Sequence, residues 1–384
     1  MFGRSWSMQQ LRMRNVHTVC VDTVDPYTNL SLEEELFASC NWQEGEEFFL
    51  LYVNEPAVVF GKHQNPWKEC NVQLLGERGI PLLRRISGGG TVYHDQGNIN
   101  WSFIGPKEGF SQEENLEIIR HIAARFSDLS EADFTIGERG DIFYRELKIS
   151  GNALTFKGNT ALHHGTLLIN SDLDSLGSSL RGWEKRFAVR LDGPAVNSNP
   201  SAVTNLSAHS RERLGFPEFY AAAVDYLRET GALAGEAQAP GLSESVIRRI
   251  TEHRSADWTL RRTPDFRIFP VYDWLPDRPH DREGMNREGA NQERAKEQPA
   301  WLVQKGRVYD PDGSERYDLC SPPELLNDAP GEGPDIKPDT SANTITDESP
   351  GKVPHSRVQD AGNVFGLTEF EARLAALSLE AGTD

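Results

Sequence analysis

Residues 84–95 read RRISGGGTVYHD and are the most informative segment of this chain. Two arginines end an apolar run, three glycines follow, and the β-formers Thr91, Val92 and Tyr93 come next. Glycines let the backbone adopt positive φ and approach a ligand closely, so several N–H groups can converge on an anion. Arginine adds a planar fork of donors suited to phosphate or carboxylate. The segment indicates an anion-binding loop; on these residues alone, a flexible hairpin turn is the alternative.

Strands are predicted on both sides of this loop, at residues 81–85 and 91–93. Residues 98–105 (NINWSFIG) then alternate between apolar and polar side chains, which is typical of a half-buried strand. Upstream, residues 48–53 and 57–61 are runs of β-formers separated by a short polar turn, and they predict a hairpin. Together these segments predict a sheet with one dry face and one polar, ligand-facing face.

Helices and further strands are predicted in separate groups along the chain. Residues 31–39 predict a helix with Ser31 as its N-cap. Their spacing and composition predict helices at residues 113–126, 172–180, 217–230 and 243–253, and strands at 133–136, 141–144, 146–150 and 161–169. Since strand and helix do not alternate regularly, this order favours an α+β fold over a doubly wound sheet.

A change of composition after about residue 253 predicts a second domain. We expect a leader at residues 1–17, a catalytic domain at 18–253 and a small α+β accessory domain at 254–327. Within the accessory domain we expect strands at 257–260, 267–270 and 300–308 and a charged loop at 277–298. Residues 328–362 have the composition of an acidic disordered segment, and residues 363–384 carry a helical pattern that would dock on the accessory domain.

Charge and cysteine content exclude several classes of protein. A formal net charge of −18 argues against a nucleic-acid binder, and no apolar run reaches the roughly 18–20 residues of a membrane span. Four scattered cysteines with no CxxC pair support neither a disulfide framework nor a structural zinc site. These features, with no apolar signal segment at the start, predict a reducing compartment, the cytoplasm. A leader with Arg4, Arg12 and Arg14 makes the mitochondrial matrix the alternative.

Five motifs occur in a fixed order along the chain. They are QNPWKECN at residues 64–71, RRISGGGTVYHDQGN at 84–98, KISGNA at 148–153, HHGTLL at 163–168 and VTNL at 203–206. In this order the chain closely resembles the lipoate–protein ligase family, including its lipoyltransferase branch, over roughly residues 18–270. The resemblance implies a biotin/lipoate ligase-type catalytic domain on a mixed or antiparallel sheet with flanking helices, followed by a small accessory domain.

The resemblance also implies a two-step reaction. Lipoate and ATP, with Mg²⁺, would give lipoyl-AMP, and the lipoyl group would then pass to a lysine of an acceptor protein. The implied acceptors are the lipoyl domains of 2-oxoacid dehydrogenase E2 subunits and the glycine cleavage H protein. We expect no nucleic-acid or membrane partner, and a monomer.

Site residues follow from the same resemblance. Lys148 would be catalytic and bind both substrates, by bridging the lipoyl carbonyl oxygen and the α-phosphate. ATP would be bound by Arg85, Gly90, Thr91, Val92 and Tyr93, lipoate by Gly88, Gly89, His164 and Gly165, and Mg²⁺ by Asp141. Trp101 and Phe103 would line a dry lipoyl tunnel, and residues 154–160 would form a mobile loop closing over the acyl-adenylate. His94 and Asn98 could bond the ligand or tie the hairpin together.

Two other functions stay open on the sequence. Many ligases of the family carry Arg-Asn-Asp where this chain has Arg139-Gly140-Asp141, so a lipoyl or octanoyl transferase using a preactivated donor is an alternative. A non-catalytic lipoate-binding homologue is another, although Lys148 and the three glycines argue against it. Octanoyltransferases of this superfold use a cysteine nucleophile, whereas Cys70, the cysteine nearest to a motif, is expected to be an ordinary buried thiol.

Overall fold

The computed structural model describes residues 14–39, 46–180, 189–270, 301–310 and 313–318. The predicted charged loop at 277–298, the segment at 328–362 and the helix in 363–384 lie outside the described residues. The first described strand begins at Asn15, inside the range assigned to the leader. In the described part of the chain, no helix is long and apolar enough to cross a membrane.

A six-stranded mixed sheet forms the centre of the molecule, in the order β10-β11-β6-β2-β1-β13. Strand β1 runs parallel to both β2 and β13, and the other neighbours are antiparallel. The strands are β1 (Asn15–Cys20), β2 (Glu46–Val53), β6 (Asn98–Pro106), β10 (Asn152–Lys157), β11 (Thr160–Leu168) and β13 (Leu233–Gln238).

Helices cover both faces of this sheet. The described helices are α1 (Pro26–Ser39), α2 (Pro66–Glu69), α3 (Val72–Arg78), α4 (Gln112–Phe126), α5 (Leu173–Ser179), α6 (Phe216–Thr230), α7 (Glu244–Arg254) and α8 (Ala256–Thr259). Apolar side chains of α4 and α6 share a buried core with one face, and those of α1 and α7 share a second core with the other. The four helices predicted after the first are confirmed, with each end shifted by at most one residue.

Two small sheets carry the glycine loop and Lys148. Strand β3 (Ala57–Phe60) lies between β4 (Leu82–Arg84), to which it is parallel, and β5 (Val92–His94), to which it is antiparallel. The glycine loop therefore crosses from one side of β3 to the other. The second sheet, in the order β7-β8-β9, consists of β7 (Phe134–Ile136), β8 (Ile142–Tyr144) and β9 (Leu147–Ser150), and its last strand bears Lys148.

A five-stranded antiparallel sheet follows, in the order β12-β14-β15-β16-β17. It consists of β12 (Val189–Asp192), β14 (Phe266–Pro270), β15 (Trp301–Gln304), β16 (Arg307–Tyr309) and β17 (Glu315–Asp318). Its apolar side chains share one core with the β3 sheet, where the rings of Trp67 and Phe266 lie 5.6 Å apart. Because β12 comes from upstream of residue 253, the sheet is built from two separate parts of the chain. The domain boundary at 253/254 stays a prediction.

Three local predictions are wrong. The first helix begins at Pro26, and Ser31 is buried inside it, where its hydroxyl donates to the Tyr27 carbonyl at 2.7 Å. Residues 48–53 and 57–61 do not form a hairpin, because β2 pairs with β1 and β6 in the large sheet while β3 belongs to a small one. Residues 257–260 are not a strand, since Ser255 caps helix α8 by accepting from the Trp258 amide at 3.2 Å.

Candidate active site

A pocket of about 340 Å³ lies where the glycine loop, strand β9 and strand β11 meet. Most of the residues that the motifs predicted line it: Arg85, Gly89, Gly90, Thr91, Val92, Asp141, Lys148, His164 and Gly165. Its volume lies within the roughly 300–1,000 Å³ usual for small-molecule sites. The structure therefore brings three of the five motifs, at 84–98, 148–153 and 163–168, to one cavity.

Lys148 is held in place from its backbone outward. Its N–H donates to the Ala202 carbonyl at 2.9 Å, and its own carbonyl accepts from the Thr204 N–H at 3.1 Å. Val203 of the VTNL motif thus pairs with Lys148 in a parallel β-bridge beside strand β9. The Lys148 ammonium reaches into the pocket and forms an ion pair with Asp141, with Nζ and Oδ1 2.8 Å apart.

Two motif glycines near Lys148 have no room for a side chain. A Cβ on Gly151 would lie 3.1 Å from both Cε and Nζ of Lys148. A Cβ on Gly165 would lie 2.4 Å from the Trp101 ring and 2.5 Å from the Gly151 carbonyl oxygen, so no side chain fits there. Motif glycines at this end of the pocket therefore serve close packing.

In the glycine loop, the middle glycine has the strictest requirement. Gly89 has φ of +84°, and a Cβ on it would lie 2.9 Å from the Arg85 guanidinium. Its carbonyl oxygen also lies only 2.4 Å from where a Cβ on Gly61 would be. Gly88 differs, because a Cβ on it would meet nothing within 4 Å and the residue is not part of the pocket lining.

Arg85 lies beneath the loop and holds its shape. Its side chain donates to the carbonyls of Gly88, at 2.5 Å, Gly90, at 2.7 Å, and Val59, at 3.2 Å, and to the Ser87 hydroxyl at 3.0 Å. Burial lowers the pKa of Arg85 to about 10, which leaves it charged at neutral pH. The guanidinium thus already binds protein acceptors on several sides, and its predicted contact with ATP stays a prediction.

A buried acid that the sequence analysis missed lies on the floor of the pocket. Glu33 on α1 accepts from the Ser102 hydroxyl, and its Oε2 lies 2.9 Å from Nδ1 of His164. His164 Nε2 in turn lies 2.6 Å from the Ser87 hydroxyl, to which Arg85 also donates. Burial alone would raise the pKa of Glu33, but His164, Ser102 and Arg85 outweigh it, so the pKa is lowered. The network links helix α1 to the glycine loop.

A second missed residue, Ser198, anchors the loop that follows β12 across the pocket. Its hydroxyl accepts from the Thr91 N–H at 2.9 Å and from the Gln64 side-chain amide at 3.0 Å. Its own N–H donates to both carboxylate oxygens of Glu69 at 3.1 Å. Gln64 and Glu69 belong to the QNPWKECN motif, so this motif acts by holding Ser198 and Thr91. In the sequence, the polar residues Gln64 and Glu69 of this motif were the available sign that it binds another segment of the chain.

Several predicted residues lie elsewhere. Trp101 and Phe103 are buried in the core on the other face of the sheet and do not line the pocket, because only the alternate positions of β6 face it. Tyr93 is buried against the five-stranded sheet and borders a separate groove. Residues 154–160 are not a free loop: up to Lys157 they form strand β10, paired with β11, and only a tight turn at Gly158 remains.

His94 lines the pocket and Asn98 does not. Nδ1 of His94 lies 2.9 Å from the Asn54 side-chain amide, which fixes the ring. Burial lowers the pKa of His94 to about 3, with the charges of Arg85 and His164 adding to the effect, so the imidazole is neutral at physiological pH. The Asn98 amide donates to the Asn100 side chain at 3.1 Å, which is a tie within the strand.

Asp141 is the predicted magnesium ligand. Within the described ranges, no group of three or more His, Cys, Asp or Glu side chains is placed to hold a metal ion. Asp141 nevertheless suits Mg²⁺, because this ion is usually bound through one or two carboxylates together with substrate phosphates. The carboxylate that would serve it is the one that also contacts Lys148.

Comparison with known proteins identifies similar sequences and folds. Residues 25–228 match the family described as the lipoyl protein ligase A/B catalytic domain. A protein of Mus musculus named lipoyl amidotransferase LIPT1, mitochondrial, is 35% identical over 64% of this chain and 65% of its own length. The Homo sapiens protein of the same name is 41% identical over 47% of each chain. The chain thus spans less than two thirds of these relatives.

Solved structures match the fold. A putative lipoate protein ligase of T. acidophilum with bound lipoic acid has a TM-score of 0.51 at 20% identity, over 64% of this chain and 99% of that one. P. falciparum LipL1 in complex with lipoate has a TM-score of 0.53 at 22% identity, over 67% and 81%. The α+β fold expected from the resemblance is therefore confirmed.

Proposed function

This chain belongs to the lipoyl protein ligase A/B catalytic-domain family, and from that premise we propose that it is an ATP-dependent lipoate–protein ligase. The observation that carries the proposal is the Lys148 ammonium, which lies in a pocket bordered by Gly89, Gly90 and the Thr91 backbone. A fixed cation beside a glycine-rich backbone suits two anions that must approach each other. The pocket offers this arrangement to a carboxylate and an α-phosphate.

In the first step, a lipoate carboxylate oxygen attacks the α-phosphorus of ATP. An oxygen–phosphorus bond forms, the bond to pyrophosphate breaks, and the products are lipoyl-AMP and pyrophosphate. Lys148 would reduce the repulsion between the two anions and stabilise the charge that builds on phosphorus. Its ion pair with Asp141 keeps the ammonium at the mouth of the glycine loop before substrate arrives.

The nucleotide would lie along the glycine loop. Gly90, Thr91 and Val92 line the pocket there, and Ser198 fixes the Thr91 N–H. Tyr93, which was also expected to bind ATP, would contribute only through its backbone, because its side chain is buried on the other side. Asp141 would hold Mg²⁺ if the ion is bound, and the ion would supply positive charge against the triphosphate.

The lipoyl group would occupy the part of the pocket below Gly89, beside His164 and Gly165. Gly165 has no room for a side chain, because a Cβ there would meet the Trp101 ring and the Gly151 carbonyl oxygen. Gly88, by contrast, would affect the lipoyl site only through the shape of the loop, since it does not line the pocket.

In the second step, the amine of an acceptor lysine attacks the carbonyl carbon of lipoyl-AMP, the bond to AMP breaks and an amide forms. Lys148 would polarise that carbonyl. We propose lipoyl domains of 2-oxoacid dehydrogenase E2 subunits and the glycine cleavage H protein as acceptors, and a monomeric enzyme. Because the mouse and human relatives are named as mitochondrial, we favour the mitochondrial matrix over the cytoplasm.

A second candidate is a lipoyl transferase that uses an already activated or protein-bound lipoyl group. The mouse and human relatives are named amidotransferases, which favours it. A thiol intermediate has little support, because neither described cysteine lines the pocket, and burial raises the pKa of Cys70 well above its usual range. Transfer would then rely on Lys148 to polarise the carbonyl.

Lipoate-dependent exchange of labelled pyrophosphate into ATP tests the proposal, with wild type beside Lys148→Ala. Exchange by wild type and its loss in the variant would support the ligase. If wild type shows no exchange but transfers from supplied lipoyl-AMP or from a lipoylated protein, the transferase replaces it. Inactivity in every assay with intact lipoate binding would point to a non-catalytic homologue.

A further inference from the structure

Arg84, the first arginine of the glycine-loop motif, does not face the pocket but binds two distant segments at once. Its Nε donates to the Thr259 carbonyl at 3.0 Å, and a terminal nitrogen donates to the Thr263 hydroxyl at 2.6 Å. Its other terminal nitrogen donates to the carbonyls of Lys62, at 2.7 Å, and Gln64, at 3.2 Å. One side chain therefore ties the end of α8 and the segment after it to the turn that begins the QNPWKECN motif.

This guanidinium is costly to bury. Arg84 is 0% exposed, and its acceptors are three carbonyl oxygens and one hydroxyl, with the Phe60 ring 4.4 Å from the guanidinium carbon. Burial lowers the pKa of Arg84 to about 9, and the charge of Arg262 adds to the effect. A buried cation bonded to neutral groups is a weak source of stability, because its desolvation opposes folding. We therefore infer that Arg84 contributes mainly by positioning the groups it binds.

On the pocket side, Arg84 acts through Gln64. Arg84 holds the Gln64 carbonyl, and the Gln64 side-chain oxygen accepts from the Gly61 N–H and the Thr91 hydroxyl, both at 2.9 Å. The same amide donates to Ser198 at 3.0 Å. Thr91 and Ser198 both line the pocket. Two bonded steps thus connect Arg84 to the part of the pocket assigned to the nucleotide.

On the other side, Arg84 is bound to the entrance of the five-stranded sheet. The indole N–H of Trp258 in α8 donates to the Arg84 carbonyl at 2.6 Å. Thr263 lies three positions before Phe266, the first residue of β14. The backbone and the side chain of Arg84 are therefore both bonded to the segment that leads into the accessory sheet.

We propose that Arg84 is a positioning residue for the nucleotide, through which the segment 258–263 sets the geometry of Gln64, Thr91 and Ser198. The proposal rests on the proposed function for the identity of the nucleotide, ATP. The two neighbouring arginines thus have different roles. Arg85 holds the glycine loop from below, and Arg84 positions the wall of the pocket formed by Thr91 and Ser198. The accessory segment thereby acts on nucleotide binding without contacting the nucleotide.

Thr263→Val and Thr263→Ser in the full-length protein are the matched test. Valine keeps the shape but removes the acceptor, whereas serine keeps it, so only the valine variant leaves a guanidinium N–H without its partner. We expect Thr263→Val to raise KM for ATP by roughly 5-fold or more, while kcat and KM for lipoate stay within about 2-fold. Thr263→Ser should stay within about 2-fold of wild type in all three.

Hydrogen exchange gives a reading that needs no activity. Amides of residues 60–64 and 90–92 should exchange faster in Thr263→Val and in Trp258→Phe, which loses the indole donor, than in Thr263→Ser. Unchanged exchange in both variants would overturn the proposal, and so would equal rises in KM for both substrates, since that is general damage. If wild type shows no pyrophosphate exchange, the proposed function fails, while the amide comparison still decides the role of Arg84.

Discussion

Lys148 Nζ and Asp141 Oδ1 lie 2.8 Å apart at the edge of the pocket. Lys148 lies in strand β9, and Asp141 immediately precedes β8, the neighbouring strand of the same small sheet. Both side chains are mostly buried, at 22% and 14% exposure. In such surroundings an ion pair is attenuated less by water than on an open surface. Asp141 therefore sets where the Lys148 ammonium lies before the substrates bind.

Removing either partner should affect the chemical step differently. We expect Lys148→Ala to lower the rate of lipoate-dependent pyrophosphate exchange by about 100-fold or more, as losses of a single charge-stabilising donor do. Asp141→Asn keeps the shape but loses the ion pair, and we expect roughly a 10-fold loss. Steady-state exchange rates at saturating ATP and lipoate measure both. An Asp141→Asn rate equal to that of wild type would contradict an orienting role for the carboxylate.

A side chain at Gly151 should push Lys148 out of its observed position. A Cβ there would lie 3.1 Å from Nζ and Cε of Lys148, so Gly151→Ala should displace the ammonium. We expect a rate loss of about 10-fold with little change in melting temperature, since a flexible side chain can move aside. Gly177→Ala on α5 is the control, because a Cβ there meets nothing within 4 Å. Equal activity of the two variants would mean that Lys148 works from another position.

Alanine substitution should destabilise the protein at Gly89 but not at the adjacent Gly88. Gly89→Ala places a Cβ 2.9 Å from the Arg85 guanidinium at a residue with φ of +84°. We expect the free energy of unfolding to fall by about 1–2 kcal/mol and lipoyl-AMP formation to be lost. Gly88→Ala meets no protein atom within 4 Å and should leave the free energy of unfolding unchanged. Urea denaturation of both variants measures the contrast. Equal stability of the two would be inconsistent with the observed loop.

His94 predicts how stability depends on pH. Its pKa in the folded protein is about 3, below the value of about 6.5 in an unfolded chain, so between these limits the unfolded state binds a proton that the native state does not. Stability should therefore be lost as pH falls from 6.5 towards 3, by up to about 1.4 kcal/mol per pH unit for this one group. In His94→Gln the slope between pH 4 and 6 should be shallower by that amount. An identical slope in wild type and variant would refute the assignment.

The sequence predicted that the glycine loop, Lys148 and Gly165 lie at one site because each belongs to a short motif of the family resemblance, and all three line the pocket. Glu33 could not be found in this way, since its partner His164 is 131 residues away and only the packing of α1 against the sheet brings them together. The N-cap at Ser31 failed for a related reason. The capping carboxylate is that of Asp25, which accepts from the Thr28 N–H at 2.9 Å. Asp25 lies five residues before Leu30, where the apolar pattern of the helix becomes clear.

Ser198 offers the most direct test of the wall assigned to the nucleotide. Its hydroxyl is the acceptor for the Thr91 N–H at 2.9 Å, so Ser198→Ala leaves that amide unpaired and frees Gln64. A lost hydrogen bond of about 1 kcal/mol corresponds to roughly a 5-fold weakening, and we expect KM for ATP to rise by that factor while KM for lipoate is unchanged. Ser201→Ala, at an exposed position in the same loop, is the control. A rise in KM for lipoate alone would move the nucleotide away from Thr91 and place the lipoyl chain there instead.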